Sequence, residues 1–355
     1  GPAPEAGGAV TGRTAVLRAG PVSVAVRPRT ALVAVALAVL GVLVLALSIS
    51  RGDFDISVPE VLAVLAGGGE DGQRFVVLGL RMPRALTGLL VGFALGVAGA
   101  LSQAVSRNPL ASPDVLGITA GASAGAVGVI VLAPSLGTTV GVPAAALAGG
   151  LLAALAVYLL AWRDGLDSFR LVLVGVGVWA FSTSLVTWVL VRAELNDAAR
   201  ATVWLNGSLN GAGWDDVPSL TAAVALAGVL AVPAAFALQA LTLGDESAGG
   251  LGVRVNLART ALLGVAAVLA SLAAAAAGPV PFVALVAPQI AVRLVRSAVP
   301  PLVVSGLLGA CLLTASDVAA RSLLPVPLPV GVVTGVLGAP VLLYLIRSRT
   351  REVTA

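Results

Sequence analysis

Few side chains in this chain can do chemistry, and they are restricted in kind. All 21 cationic residues are arginine; there is no lysine, no histidine, and Cys311 is the only thiol. A G-x-x-x-x-G-K-[ST] phosphate loop needs its lysine, so the chain does not hydrolyse ATP by that route. A His/Cys metal centre and a Ser-His-Asp triad both need imidazole. No metal ligand and no catalytic residue is therefore assigned. Cys311 lies in an apolar run and reads as a small buried hydrophobe, and a single cysteine permits no internal disulfide. What remains is charge and hydroxyl groups. Arg81 and Arg84 bracket Met82-Pro83 just ahead of a long apolar run, and Arg321 follows Asp317 by one helical turn. Guanidinium is always ionised and makes two-pronged pairs with carboxylates, so these arginines can bind an acidic partner or snorkel to lipid headgroups, and Arg321 can also pair with Asp317. Ser182, Thr183, Ser184 and Thr187 lie beside Gly175 and Gly177 in an apolar segment. Such hydroxyls either bond back to carbonyls of their own helix or line a polar surface.

The elements that must position these residues are membrane spans. Hydrophobic residues make up 58% of the chain, charged residues 11%, and the mean hydropathy is +1.04. No soluble core buries that much apolar surface, so the chain is an all-α, multi-pass membrane protein. Ala, Val, Leu and Gly dominate, and small residues let helices approach closely in lipid. The pI near 10.4 does not imply nucleic acid, because the arginines are spread over loops as topogenic charge. The Arg-only basicity and Ala/Gly/Val excess suit a GC-rich bacterial genome.

Hydropathy divides the chain into a Pro/Gly/Ala-rich tail over residues 1–30, expected to be disordered, a membrane domain over 31–346, and a second tail over 347–355. The Gly1-Pro2 start matches the scar of a cleaved tag. Ten spans are expected: Ala31–Ser50, Arg84–Val105, Pro113–Ala133, Thr139–Trp162, Leu171–Val191, Ser219–Leu241, Ala258–Ala277, Phe282–Val295, Pro301–Leu323 and Pro329–Ile346. Ser57-Val58-Pro59-Glu60 reads as a short helix start between the first two, and Arg192–Pro218 as a polar loop. With both termini inside, 14 arginines fall on the inner side and 7 on the outer, the positive-inside pattern. Two breaks, Asn108-Pro109 and Gly278-Pro279-Val280-Pro281, occupy matching places in the two halves, five spans apart, which hints at an inverted repeat. Pro109 removes an N–H and pushes Asn108 to extended geometry.

The motifs together resemble a known family: the FecCD-type, or type II, permease subunits of ATP-binding-cassette (ABC) importers for ferric siderophores, haem and cobalamin. Arg81-Met82-Pro83-Arg84 is similar to the family's R-x-P-R. Gln103 with Asn108-Pro109-Leu110-Ala111, Pro113 and Leu116-Gly117 is similar to its Q-x4-N-P-L-A-x-P-x-x-L-G. Trp204 with Gly207-Ser208-Leu209, Leu251-Gly252-Val253, Gly278-Pro279-Val280 with Phe282, and Pro329-Val330-Gly331-Val332-Val333 follow in order. Two departures stand out. Gln289 in Pro288-Gln289-Ile290-Ala291-Val292-Arg293 replaces the His of P-H-I-A-R, and Pro327 occupies a position usually held by Glu.

The resemblance implies roles. Arg81, Arg84 and Arg321 would meet acidic residues of an extracytoplasmic substrate-binding protein. Asn108 and Leu110 would form the cytoplasmic gate. Ser182, Thr183, Ser184 and Thr187 would line the translocation path. The loop 244–256, with Glu246, Ser247, Ala248, Leu251 and Gly252, would be the coupling helix that docks on an ATPase subunit. The expected partners are two ABC ATPase subunits, a second permease copy or paralogue, the binding protein, a metal-chelate substrate and the lipid bilayer of a bacterial cytoplasmic membrane, with no nucleic acid. No cofactor is expected on this chain; ATP and magnesium would bind the ATPase subunits. The competing class is an ion-coupled secondary carrier with inverted repeats. It normally needs ionisable groups at mid-depth, and no intramembrane chain of Asp, Glu or Arg appears apart from Asp317 near a helix end. A membrane-embedded enzyme lacks any catalytic constellation at one depth.

Overall fold

The computed structural model describes residues 15–19, 22–52, 56–137, 141–163, 165–322, 326 and 328–353. Two strands, β1 (Ala15–Ala19) and β2 (Val22–Val26), precede the helices and pair antiparallel, Leu17 opposite Val24. This corrects the disorder expected for that part of residues 1–30: VSVAV is rich in β-branched valine, and Gly20-Pro21 between the strands is a turn sequence. Pro28 already opens the first helix, and residues 1–14, 20 and 21 lie outside those described.

Fourteen α-helices follow among the described residues: α1 (Pro28–Ser50), α2 (Val58–Leu65), α3 (Asp71–Arg74), α4 (Met82–Ser106), α5 (Ile118–Leu132), α6 (Val142–Ala161), α7 (Ser168–Val191), α8 (Leu195–Leu205), α9 (Asp216–Thr242), α10 (Asp245–Gly250), α11 (Val255–Ala277), α12 (Val283–Val295), α13 (Leu302–Ser322) and α14 (Val330–Val353). Seven of the helical segments are long and apolar enough to cross a membrane, and three shorter apolar ones, in α5, α12 and α14, complete the ten spans expected.

Helix α4 is the organising strut. It is continuous with α3 through a π-helical turn, Phe75–Arg81, so this span begins well before the expected Arg84. Most of its residues are buried. A Cβ on Gly92 would overlap the Gly309 carbonyl, on Gly96 the Ser305 carbonyl, and on Gly99 the Ala284 carbonyl. These glycines therefore seat α4 backbone-to-backbone against α13 and α12, the small-residue packing that substitutes for a hydrophobic driving force in lipid. Gly121 and Gly125 of α5 meet Gly149 and Ala145 of α6 in the same way.

Residues 192–218, expected as a polar loop, contain α8. Its apolar residues recur at helical spacing and Ala201 is fully buried. The expected short helix at Ser57 is present as α2, closed by a reciprocal box in which Glu60 accepts from both Ser57 N and Ser57 Oγ at 2.7 Å. Those bonds to Ser57 hold the Glu60 carboxyl below its ordinary range. Helix α14 runs on through residues 347–353, placed in the tail by hydropathy. Pro327 lies outside the described residues.

Candidate functional site

Chemistry-bearing residues gather at three depths along α4 and α7. At the outer end, Asp317 of α13 is 2% exposed and is gripped by Arg84, with Nε 3.1 Å from Oδ2 and Nη2 2.7 Å from Oδ1. Arg321, one turn along α13, brings its Nε within 3.3 Å of Oδ2. It also donates to the backbone carbonyls of Arg51 (2.7 Å) and Ser48 (2.6 Å). Arg81, in the π-helical turn, is 7% exposed and donates to the carbonyls of Ile49 (2.9 Å) and Ser50 (3.1 Å). The helix C-terminus of α1 thus receives two guanidinium groups at its free carbonyls, where cations are stabilised. All three arginines expected to dock a partner have internal partners. Arg81 lies beneath the surface, so it supports the corner instead of facing outward. Arg84 and Arg321 keep 23% and 14% of their side chains exposed.

At the inner end, α4 stops at Arg107, which takes the left-handed conformation at φ 49°. Asn108 Oδ1 then accepts from Leu110 N at 3.0 Å, a side-chain turn that fixes the backbone around Pro109. Leu110 is 43% exposed. Arg107 Nη2 reaches across to Asp245 Oδ1 (2.6 Å) and the Leu241 carbonyl (2.7 Å). Arg259, at the start of α11, binds the same Asp245 oxygen at 2.9 Å and the Leu166 carbonyl at 2.9 Å. Asp245 is the first residue of α10, the segment expected to couple. Within it Glu246, Ser247, Leu251 and Gly252 are exposed, but Ala248 is fully buried. Ala248 therefore packs the segment onto the membrane domain and has no face for a partner. Sequence reasoning placed α10 but missed the two arginines that hold it. Arg107 directly ahead of Asn108-Pro109 was the available signal. Just above this corner, Gln289 Nε2 donates to Gln103 Oε1 at 2.5 Å, and Gln103 Nε2 donates to the Leu285 carbonyl at 3.0 Å. The Gln289 departure and the motif Gln103 are thus one buried pair joining α12 to α4.

Between the ends, the broken helices meet. Ser208 N donates to the Ala277 carbonyl at 2.8 Å, and Gly331 N to the Gly207 carbonyl at 3.2 Å. A Cβ on Gly207 would overlap the Pro279 carbonyl, and one on Gly331 the Asn206 carbonyl. Irregular backbone survives at membrane depth only where protein or a polar cavity satisfies it, and here the breaks satisfy one another. They open on a cleft of about 420 Å³ lined by Asp114, Thr119, Ser123, Thr183, Asn206 and Pro279, among others. Of the four hydroxyl residues expected on the path, Thr183 lines this cleft. Ser184 and Thr187 lie on the adjoining exposed face of α7, and Ser182 is 5% exposed and faces the interior. Ser184 Oγ donates to the Ala180 carbonyl (2.9 Å) and Thr187 Oγ1 to the Thr183 carbonyl (3.0 Å). Their hydroxyls are satisfied within the helix and still present oxygen to the outside. Asp114 was not singled out from sequence, because it was read as the edge of a span and not as part of a lining. Among the described residues, no group of His, Cys, Asp and Glu is arranged to hold a metal ion.

Comparison with known proteins agrees with this architecture. Residues 36–348 match the FecCD transport family. The chain is 40% identical over 302 residues to the ferric enterobactin transport system permease protein FepG of Escherichia coli (strain K12), covering 85% of this chain and 91% of that one. It is 43% identical over 316 residues to the achromobactin transport system permease protein CbrC of Dickeya dadantii (strain 3937), covering 88% and 90%. Its fold superposes with a TM-score of 0.80 on an inward-facing metal-chelate type ABC transporter, at 24% identity over 90% of this chain and 99% of that one. A match that spans nearly the whole membrane domain, together with the ten apolar helices, leaves one assignment: the chain belongs to the FecCD transport family, as a multi-pass membrane permease.

Proposed function

We propose that this permease passes a ferric chelate, most simply a ferric siderophore, from an extracytoplasmic binding protein to the cytoplasm. Two partner ATPase subunits supply the energy, and a second permease copy or paralogue supplies the other wall of the path. ATP and magnesium act on those ATPase subunits. The relatives named for ferric enterobactin and achromobactin support the substrate class.

The observation that carries the reading is the inner corner. Asp245 ties the first turn of α10 to Arg107, the residue directly before the gate segment Asn108-Pro109-Leu110. Force applied to the exposed residues Glu246, Ser247, Leu251 and Gly252 by a docked ATPase has a direct route to the gate. At the outer corner Arg84 and Arg321 share one buried aspartate, Asp317, and keep part of their side chains at the surface. Arg84 and Arg321 at the surface would steer an acidic binding protein into register, a role rim charges perform better than adding affinity. Asn108 and Leu110 close the exit, and Thr183, Ser184 and Thr187 present a wall that hydrogen-bonds weakly and holds nothing tightly.

Vesicles containing the permease with its co-purified ATPase test this. Ferric-chelate uptake should require ATP inside the nucleotide-facing compartment and be indifferent to proton or sodium ionophores. Uptake driven by an ion gradient without nucleotide would overturn the reading in favour of a secondary carrier.

A further inference from the structure

Two hollows lie end to end along α6 and α11. The upper one is an apolar groove of about 360 Å³ between these helices, floored by Ser102 of α4 and by Leu116 and Ile118. Leu155 and Val268 on its rim are exposed, and a Cβ placed on Gly264 meets nothing within 4 Å. The groove therefore opens laterally, at the depth where acyl chains lie, and its volume suits a small apolar ligand. The lower hollow is a polar basin of about 580 Å³ at the inner ends of α6, α7 and α11. The two are continuous on two helices. On α11, Thr260 lines the groove and Arg259, the residue before it, lines the basin; on α7, Leu171 and Ser168 divide in the same way, one turn apart.

The basin carries both signs of charge. Arg107, Arg163 and Arg259 line it together with Asp167, Asp245 and Glu246. Several of these are already committed. Asp167 caps α7 by accepting from Arg170 N at 2.9 Å, and Asp245 Oδ1 takes both Arg107 and Arg259. Three groups are left over. Arg163 is exposed and enters none of the ion pairs among the described residues. Arg259 is 6% exposed, and its Nε is buried without a hydrogen-bond partner, which costs free energy until an acceptor arrives. Asp245 Oδ2 carries neither arginine. Where groove and basin meet, Tyr158 lines the groove, and the Trp162 ring, one turn further along α6, is centred 5.4 Å from the Tyr158 ring. Trp162 is 41% exposed, the placement aromatics take at a membrane–water interface.

We propose that groove and basin together bind one phospholipid of the inner leaflet, of the phosphatidylethanolamine type, whose headgroup carries a phosphate and a primary ammonium. One acyl chain lies in the groove along Leu155 and Gly264. The phosphate sits on the Arg163 and Arg259 side of the basin, and the ammonium donates to Asp245 Oδ2. Guanidinium–phosphate and ammonium–carboxylate bonds are of the stronger, charge-assisted kind. The mixed charge of the basin selects this headgroup. A purely anionic one would face Asp245 and Glu246 with no donor cation to offer them. A quaternary ammonium has no N–H to donate. The site rests on the membrane placement of the spans alone, and not on the transported substrate or the energy source.

The full permease, purified in detergent with the subunits that accompany it, would be stripped of lipid and titrated with dioleoyl phosphatidylethanolamine, phosphatidylcholine or phosphatidylglycerol. Native mass spectrometry counts the lipid retained. Phosphatidylethanolamine should bind as a single molecule per permease chain, and more tightly than the other two. Arg163→Gln should weaken it about fivefold, the scale of one exposed charged contact. Gly264→Phe fills the groove from a position with open space, in a helix where glycine is a poor former. It should weaken binding about tenfold, the scale of two methylenes kept out of the groove. Arg163 is exposed and Gly264 unobstructed, so both variants should keep the parent's unfolding temperature. Soluble glycerophosphoethanolamine, the same headgroup without chains, should not compete in the same concentration range. Equal retention of the three lipids, parent-like binding by both variants, or competition by the soluble headgroup would each overturn the site. So would disulfide cross-linking of Leu155→Cys between two permease chains, since the groove would then hold a second copy. None of these readouts uses nucleotide or ferric chelate, so failure here leaves the vesicle assay untouched, and the reverse.

Discussion

The two ends of α4 carry the same chemical idea in different surroundings. At each, arginines from separate helices converge on one aspartate: Arg84 and Arg321 on Asp317 outside, Arg107 and Arg259 on Asp245 inside. Outside, the carboxylate is 2% exposed and held two-pronged; inside, it is 49% exposed and both arginines share a single oxygen. The first arrangement is costly to break, since losing one partner strands buried charge. The second sits in solvent reach, where each pair is screened and worth little in isolation. The difference teaches that the outer corner is built to stay and the inner corner to give way.

Breaking the outer cluster should have the largest effect. Asp317→Ala leaves two guanidinium groups unpaired and should destabilise the permease by about 3–5 kcal/mol, read as a lowered unfolding temperature in detergent. A loss comparable with that of a surface variant would erase the contrast between the corners. Next comes the inner joint. Asp245→Asn should change stability by less than about 1 kcal/mol while ATP hydrolysis continues with uptake cut severalfold. If uptake and hydrolysis fall in proportion, Asp245 is structural and the joint does not transmit. The smallest effect belongs to a carboxylate outside both corners. Glu60 is held below its ordinary range by Ser57, so its contribution is present above the unfolded carboxylate pKa and fades as pH falls through the folded one. Glu60→Gln should remove that acid dependence from the local protection of α2, measured by amide exchange, and leave uptake at neutral pH unchanged.

The sequence made the spans legible because bilayer thickness imposes a length and composition that hydropathy reads directly. Arginine asymmetry oriented them, and the turn chemistry of Asn108-Pro109 and Gly278-Pro279 marked the breaks. Three things were hidden for physical reasons. Helix α8 is short and amphipathic in a polar stretch, so hydropathy passed over it. Burial of Arg81 depends on the π-helical turn that rotates it towards the end of α1, and nothing local specifies that turn. Asp114 looked like the edge of a span because the shortening of α5 is decided by Gly117 against Trp179, a contact between distant residues. Charge pairs joining distant helices are equally invisible from spacing alone; only the Asp317–Arg321 pair, one turn apart, was anticipated.

The glycine seam of α4 has a mechanical consequence. Gly92, Gly96 and Gly99 leave no lateral clearance against α13 and α12, and dense packing of this kind deforms very little. Neither sliding nor axial rotation of α4 is free, so these three helices must tilt as one rigid beam. Arg84 and Arg107 stand at opposite ends of that beam. A small rocking at the outer corner would arrive at the inner one undiminished, with timing set by the stiffness of the beam rather than by any relay of side chains.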